Sequence, residues 1–162
     1  MMKKLIVLLA VLLAPVAHAD EEAMVVSVKR LTMETALKIA QGTIEACRKK
    51  GIQVGVTVVD RSGNAQVVLR DVLAPDLTLG ISYQKAYTAV SFLAATSALT
   101  SQGKSALAHV DKMFFGAGGL PVQAAGQFLG AVGVSGAPGG DIDEECAKAG
   151  LESVVDDLEM SL

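Results

Sequence analysis

Within the 162-residue chain, three chemically different side chains are spaced so that they could share a face. Lys85 precedes Phe92 by seven residues and Thr96 by eleven. At about 100° per helical residue they fall in a stripe roughly 40° wide, provided the helix stays regular through Thr96. A cation, an aromatic plate and a hydroxyl in line could meet a flat apolar ligand with acidic tails. The bland alternative uses the same residues. Phe92 packs in the core, Lys85 lies along its edge with the ammonium in water, and Thr96 caps the helix end. Spacing alone leaves both open.

Other candidate chemistry is sparse. Beyond residue 19, His109 is the single histidine, and no Ser sits in a G-x-S-x-G elbow, so a Ser-His-Asp triad has no sequence support. Zinc needs three or four His/Cys-type ligands, and one His with two distant Cys does not supply them, so no metal site is assigned. Gly133-Val134-Ser135-Gly136-Ala137-Pro138-Gly139-Gly140 lies where a phosphate loop would. It lacks the Lys of G-x-x-x-x-G-K-[ST], and Asp141, Asp143, Glu144 and Glu145 follow at once, so it reads as a structural turn. Gly116-Ala117-Gly118-Gly119 could present backbone N–H groups to a carboxylate or be a plain connection.

The rest of the chain says where such a site would be. Lys3 and Lys4, the apolar run Leu5 to Ala14, and Ala17-His18-Ala19 form a charged n-region, an h-region too short to span a bilayer and an A-x-A cleavage site. Residues 1–19 read as a secretory signal peptide and 20–162 as one domain, giving a periplasmic or secreted protein with no membrane span after cleavage. Export would expose Cys47 and Cys146 to an oxidising compartment, where a disulfide and two buried thiols are both open readings. A net charge of −3, 4% aromatic residues and no Trp argue against nucleic acid, which needs clustered cations and stacking rings.

Apolar periodicity supplies the frame. A first helix is expected from Thr32 to Lys50, N-capped by Thr32 and stopped by Gly51. Residues 52–59 alternate as a strand with Ile52, Val54, Val56 and Val58 on one face. Asp60 to Asn64 forms a hairpin turn into a second strand, Ala65 to Arg70. A second helix over Thr78 to Thr96, a shorter one near Lys104 to Asp111, and a hairpin through Ala124-Ala125-Gly126 follow. A last helix opens at Asp141 with four acids, which complement the helix dipole. Two hairpins bracketed by helices predict an α+β domain with an antiparallel sheet under helical cover.

These segments together resemble the GlcG/HbpS family, the haem-binding or haem-degrading domain that is similar to the C-terminal domain of PduO-type proteins. The resemblance rests on Val58-Val59-Asp60-Arg61-Ser62-Gly63-Asn64, Lys85-Ala86-Tyr87-Thr88-Ala89-Val90, Gly116 to Pro121, and Gly130 to Gly136 with Asp143-Glu144. It spans Leu31 to about Val154. It implies a profilin-like sandwich assembled into homo-oligomers, often octamers. In the secreted branch it implies haem binding, slow oxidative haem breakdown and partnership with a sensor protein. A Thr after the K-A-[YF]-T-A-V helix is a haem contact there, and the matching position is Thr96. Two positions depart from the pattern: Ala95 stands where relatives often carry Pro, and the E-x-x-E iron motif is absent. The expectation is an exported haem or tetrapyrrole binder with Thr96, Lys85 and Phe92 as binding residues. The alternative is a non-enzymatic module that binds an organic acid or assists a sensor.

Overall fold

The computed structural model of the chain describes residues 24–162, so the expected signal peptide lies outside the described residues. Helix α1, Met33–Lys49, starts where its N-cap was expected: the Thr32 hydroxyl accepts the Thr35 amide at 3.2 Å. Gly51, at φ +75°, turns the chain out of it. Strands β1, Gly55–Asp60, and β2, Ala65–Arg70, form the first hairpin. Its turn is held by Asp60, whose carboxylate accepts the amides of Ser62 and Asn64. Helix α2, Leu77–Phe92, comes next, then two 3₁₀ segments, Thr96–Lys104 and Ala106–His109. Strands β3, Gly119–Ala124, and β4, Gln127–Ser135, pair across a two-residue turn in which Ala125 and Gly126 both have positive φ. The chain closes with α3, Gly140–Glu152, and α4, Val155–Met160.

The sheet is antiparallel throughout, in the order β2-β1-β4-β3. Strand alternation decides which face each residue serves. Val56, Val58, Val132 and Val134 join Ile39, Ala40, Ile44 and Ala147 in the main core beneath α1 and α3. Val59 and Ala131 point the other way and pack with Ala86, Ala89 and Val90 of α2. The α+β architecture is the expected one, an antiparallel sheet under helical cover, and β1 is buried on both faces. The α2 side is lined by small residues because the helix lies close. A side chain at Gly133 would overlap the Ser82 carbonyl oxygen and come 2.5 Å from the Ala86 nitrogen. Thr57 and Ser82 satisfy each other there at 2.9 Å, as buried hydroxyls must.

Four features differ from the sequence expectation. The first strand begins at Gly55, three residues late. Helix α2 ends at Phe92, four residues before Thr96, because Leu93 turns left-handed at φ +51° and the chain bends away. The short helix expected near Lys104 to Asp111 is instead 3₁₀ structure that starts at Thr96. The short helix α4 had no sequence expectation. Of the two readings for the cysteines, the disulfide holds: Cys47 of α1 and Cys146 of α3 are bonded with Cα atoms 5.4 Å apart.

Candidate functional site

The three residues singled out by spacing do not form one stripe. With α2 ended at Phe92, Thr96 leaves the helical register and becomes the first residue of the 3₁₀ segment. Phe92 is half-buried and meets Phe115 edge-on, ring centroids 5.7 Å apart. Lys85 and Thr96 are buried, but they are brought together by the glycine segment rather than by the helix.

That segment, Gly116 to Gly119, is the centre of a polar junction. Lys85 Nζ donates to the Val134 carbonyl and to Asp143 Oδ2, both at 2.8 Å, and both side chains of this ion pair are about 95% buried. Asp143 Oδ1 accepts the Ala137 amide at 3.0 Å. Burial pushes the Asp143 carboxyl above the usual carboxylate range. The Lys85 bond, its charge and the Ala137 amide pull it back only in part. Thr96 Oγ1 accepts the Gly119 amide at 2.8 Å and sits 3.4 Å from the Gly119 carbonyl, to which it donates. Glu144 reaches the same segment from α3: its carboxylate accepts the Gly118 amide at 3.1 Å and the Ser97 hydroxyl at 2.6 Å.

Glycine is required at the middle of this junction. Gly118 has φ +118°, and a Cβ there would lie 2.7 Å from Lys85 Nζ and 2.8 Å from Asp143 Cβ. A Cβ on Gly119 would lie 2.5 Å from the Lys85 carbonyl oxygen. The glycine cluster is therefore a packing device that lets an ion pair, a Thr hydroxyl and a strand entrance meet. The Gly118 and Gly119 amides are taken by Glu144 and Thr96, so those two are not free for a ligand.

Outside the junction the chain makes an excursion between α2 and β3. It is pinned at its far end by Thr88, whose hydroxyl accepts the Phe114 amide at 2.9 Å and approaches Met113 Sδ at 3.7 Å. The excursion exposes large apolar side chains: Leu93 is 48% accessible, Leu107 38%, Val110 47% and Phe114 36%. Lys85 Nζ lies 5.9 Å from the Phe114 ring centroid, a cation over an aromatic face. From Leu93 to Gly118 the charged residues are Lys104, Asp111 and Lys112, a net of +1 in a chain of net −3. On the other side of the glycine segment, a cleft of about 330 Å³ is lined by Ser97, Ala117, Leu120, Asp141, Glu144 and Lys148.

Residues 31–152 match the family described as haem degrading protein HbpS-like. The chain belongs to the HbpS-like family. A double-mutant form of HbpS from Streptomyces reticuli is 41% identical, with 87% of this chain and 97% of that one covered and a TM-score of 0.76. A 15.0 kDa protein from the dhaT-dhaS intergenic region of Citrobacter freundii is 34% identical over 113 residues, covering 65% of this chain and 80% of its own length. The structure described as a PduOC:heme complex shares the fold at 23% identity, with 76% and 94% coverage and a TM-score of 0.71. The HbpS-like match takes in the Lys85–Asp143 pair, Thr96 and the glycine segment. Asp143 as the partner of Lys85 and Glu144 as the anchor of Gly118 were not assigned those roles from sequence. Both stand among the acids read as helix-dipole partners, and nothing in their spacing to Lys85 or Gly118 identifies the contacts.

Proposed function

We propose that the chain is an exported haem- or tetrapyrrole-binding protein, periplasmic or secreted, that takes its ligand on the excursion between α2 and β3. The observation that carries this reading is the chemistry of that excursion. Four large apolar side chains stand exposed on a segment of positive net charge in an acidic protein. Several exposed apolar side chains on one segment are what a binding face would offer to an apolar ligand. A macrocycle with an apolar body and two carboxylate tails fits it: Leu107, Val110 and Phe114 can cover the body, and the exposed Lys104 and Lys112 can meet the tails. The family description and the PduOC:heme neighbour support the same ligand class.

Thr96, Lys85 and Phe92 enter this reading as positioning residues. Thr96 holds Gly119 at the end of the glycine segment, Lys85 packs against Gly118 while tying Val134 to Asp143, and Phe92 meets Phe115. All three brace the excursion from beneath. Slow oxidative breakdown of the ligand is the finer part of the proposal. It needs peroxide, or a reductant with O₂, and the protein's part is to hold and orient the macrocycle.

A homo-oligomer, with an octamer as the family expectation, belongs to the same reading. Helix α2 carries one charged residue, Lys85, and it is buried. The outer face, with Leu77 and Gly80 exposed and Ile81 and Gln84 half-exposed, has no charge. It continues into the exposed Val72 and Leu73. A face without charge can meet its own copy across a two-fold axis without like-charge repulsion. Leu77→Glu should shift sedimentation to smaller species, and an unchanged profile would place the copy contact elsewhere.

The test of ligand binding is titration of haemin into the mature protein, read as a Soret shift. Leu107→Ala with Phe114→Ala should weaken binding by at least about tenfold, roughly 1.4 kcal/mol, with the melting temperature little changed. No Soret shift in the parent protein removes the haem reading.

A further inference from the structure

We propose that the free edge of β2, together with the cleft between it and α1, is a docking site for an extended, carboxylate-bearing segment of a partner protein, which adds a strand to the sheet. In the order β2-β1-β4-β3 the outer edges belong to β2 and β3. The β3 edge is closed. Gly119 donates its amide to Thr96 and accepts the Thr96 hydroxyl at its carbonyl, and Pro121, two residues on and facing the same way, has no amide to offer. The β2 edge is open. The Asp71 amide donates to the Val54 carbonyl, so antiparallel alternation turns the N–H and C=O groups of Val68 and Arg70 away from β1. Among the described residues none of those four groups has a backbone partner outside the sheet. Val68 is also 48% accessible. Such an edge is a template for another strand.

Beside this edge lies a cleft of about 530 Å³, bounded by Ile44, Glu45 and Arg48 of α1 and by Leu69, Arg70 and Asp71. A strand laid along β2 would place every second side chain on the α1 face, where the buried Ile44 and the half-buried Leu69 offer an apolar floor. Arg48 is held in place. Its Nε and Nη2 donate to Asp71 at 2.7 and 2.8 Å, and the buried Asp71 carboxylate also accepts the Val72 amide. Arg48 Nη1 has no hydrogen-bond partner among the described residues. Arg70 is exposed, with Nη1 donating to the Ala74 carbonyl. The accessible charges of the cleft are therefore Arg48, Arg70 and Glu45. A carboxylate on the incoming strand finds two guanidiniums against one acid.

A second copy of β2 fits this edge less well. Antiparallel pairing centred on Val68 would set Arg70 of one copy opposite Gln66 of the other, where the ladder is already broken. Val58 pairs with Val67 and Val59 with Ala65, so Gln66 is the extra residue of a bulge, and its side chain is turned aside to the Leu31 carbonyl. The open stretch is short and suits a few residues of extended peptide. Main-chain hydrogen bonds to Val68 and Arg70 would supply affinity, and the two arginines would select charge. The cleft lies at the β2 edge on the α1 side, whereas the excursion leads into β3 at the other edge, so this site does not depend on the haem reading.

The experiment uses the full mature chain with its disulfide intact. The probe is a short capped peptide of alternating valine and threonine with a glutamate at each end, labelled with fluorescein and read by anisotropy. It should bind saturably, and the same peptide with lysine ends at least tenfold more weakly. N-methylation of the peptide amides along one edge should abolish binding, and along the other edge leave it unchanged, a signature that side-chain attraction alone does not give. Arg70→Glu, at an exposed position, should reverse the preference to the lysine-ended peptide. Val68→Pro removes one edge-facing amide and should lower affinity at least tenfold, with far-UV circular dichroism checking the fold. No saturable binding of the glutamate-ended peptide overturns the proposal, as does binding that N-methylation along either edge leaves intact. Sedimentation covers the other occupant: if the parent binds no peptide and Val68→Lys breaks its oligomer into smaller species, a copy of this chain holds the edge and the partner proposal falls.

Discussion

Replacing Lys85 with methionine isolates the interaction on which the polar junction depends. Met keeps the length and most of the volume of the lysine stem but removes the ammonium from Asp143 and from the Val134 carbonyl, both now 2.8 Å away. With about 95% of each side chain out of solvent, the Asp143 carboxylate would be left buried and unpaired. Breaking a buried pair from one side costs about 3 to 5 kcal/mol, because the remaining charge keeps its desolvation penalty. For a domain of this size that corresponds to a melting-temperature loss of roughly 10 to 20 °C. The double variant Lys85→Met with Asp143→Asn should recover most of the loss, to within about 2 kcal/mol of the parent. Neither group then carries charge, and the Asn carbonyl can still accept the Ala137 amide. The pH profile gives a second reading. Burial already raises the Asp143 carboxyl, and removing Lys85 removes the largest influence that lowers it. A folded value above the unfolded value of about 3.9 means the folded state holds the proton more tightly. Relative to the parent, Lys85→Met should therefore be least destabilised in acid and should lose stability as the pH rises through the folded value. Urea unfolding from about pH 4 to 8 measures this. A cost below about 1 kcal/mol, or a pH profile parallel to the parent's, would refute the argument that this pair holds the junction.

Three further outcomes follow from other parts of the fold. Gly133→Ala should destabilise by at least about 1 to 3 kcal/mol in urea titration, because the added Cβ meets the α2 backbone at Ser82 and Ala86, which cannot move aside as a side-chain tip would; a neutral result would mean α2 sits farther from the sheet. Reducing the Cys47–Cys146 bond, whose partners are 99 residues apart, should lower stability by up to about 4 to 5 kcal/mol, checked by unfolding with and without reductant. The Arg48 hydrogen bond holds the Asp71 carboxyl below its usual range against the opposing effect of burial, with the Val72 amide assisting. A depressed folded value stabilises above the unfolded value near 3.9 and the stabilisation is lost as pH falls through the folded one. Asp71→Asn should thus be less stable than the parent at neutral pH, with the gap closing below about pH 4.

Local physics made most of the frame legible in the sequence. The N-cap at Thr32, the turn held by Asp60 and the Ala125-Gly126 reversal depend on residues within a few positions of one another, so the chain states them directly. The alternation of valines in β1 and β4 fixed which residues face the main core. What the residue pattern did not show was how closely α2 packs on the sheet. α2 has a buried face made of Thr78, Ser82, Lys85, Ala86, Thr88 and Ala89, small or polar residues that give little apolar periodicity. Its partners are the equally small Gly133, Thr57 and Ala131. Close approach replaces bulk there, and only the paired elements reveal it.

The site followed the same division. Sequence by itself determined the helical segments, the hairpins, the family and the presence of a lysine, a threonine and a glycine run that could matter. Tertiary structure decided how they meet. The left-handed Leu93 took Thr96 off the helix and replaced the expected stripe with a junction around Gly118 and Gly119. Lys85 found its partner 58 residues away, on the first turn of α3, and Cys47 found Cys146 at a separation of 99. Such contacts depend on how whole elements are placed over one sheet. Local spacing carries no record of them, because the free energy that selects them comes from burial shared among distant parts of the chain.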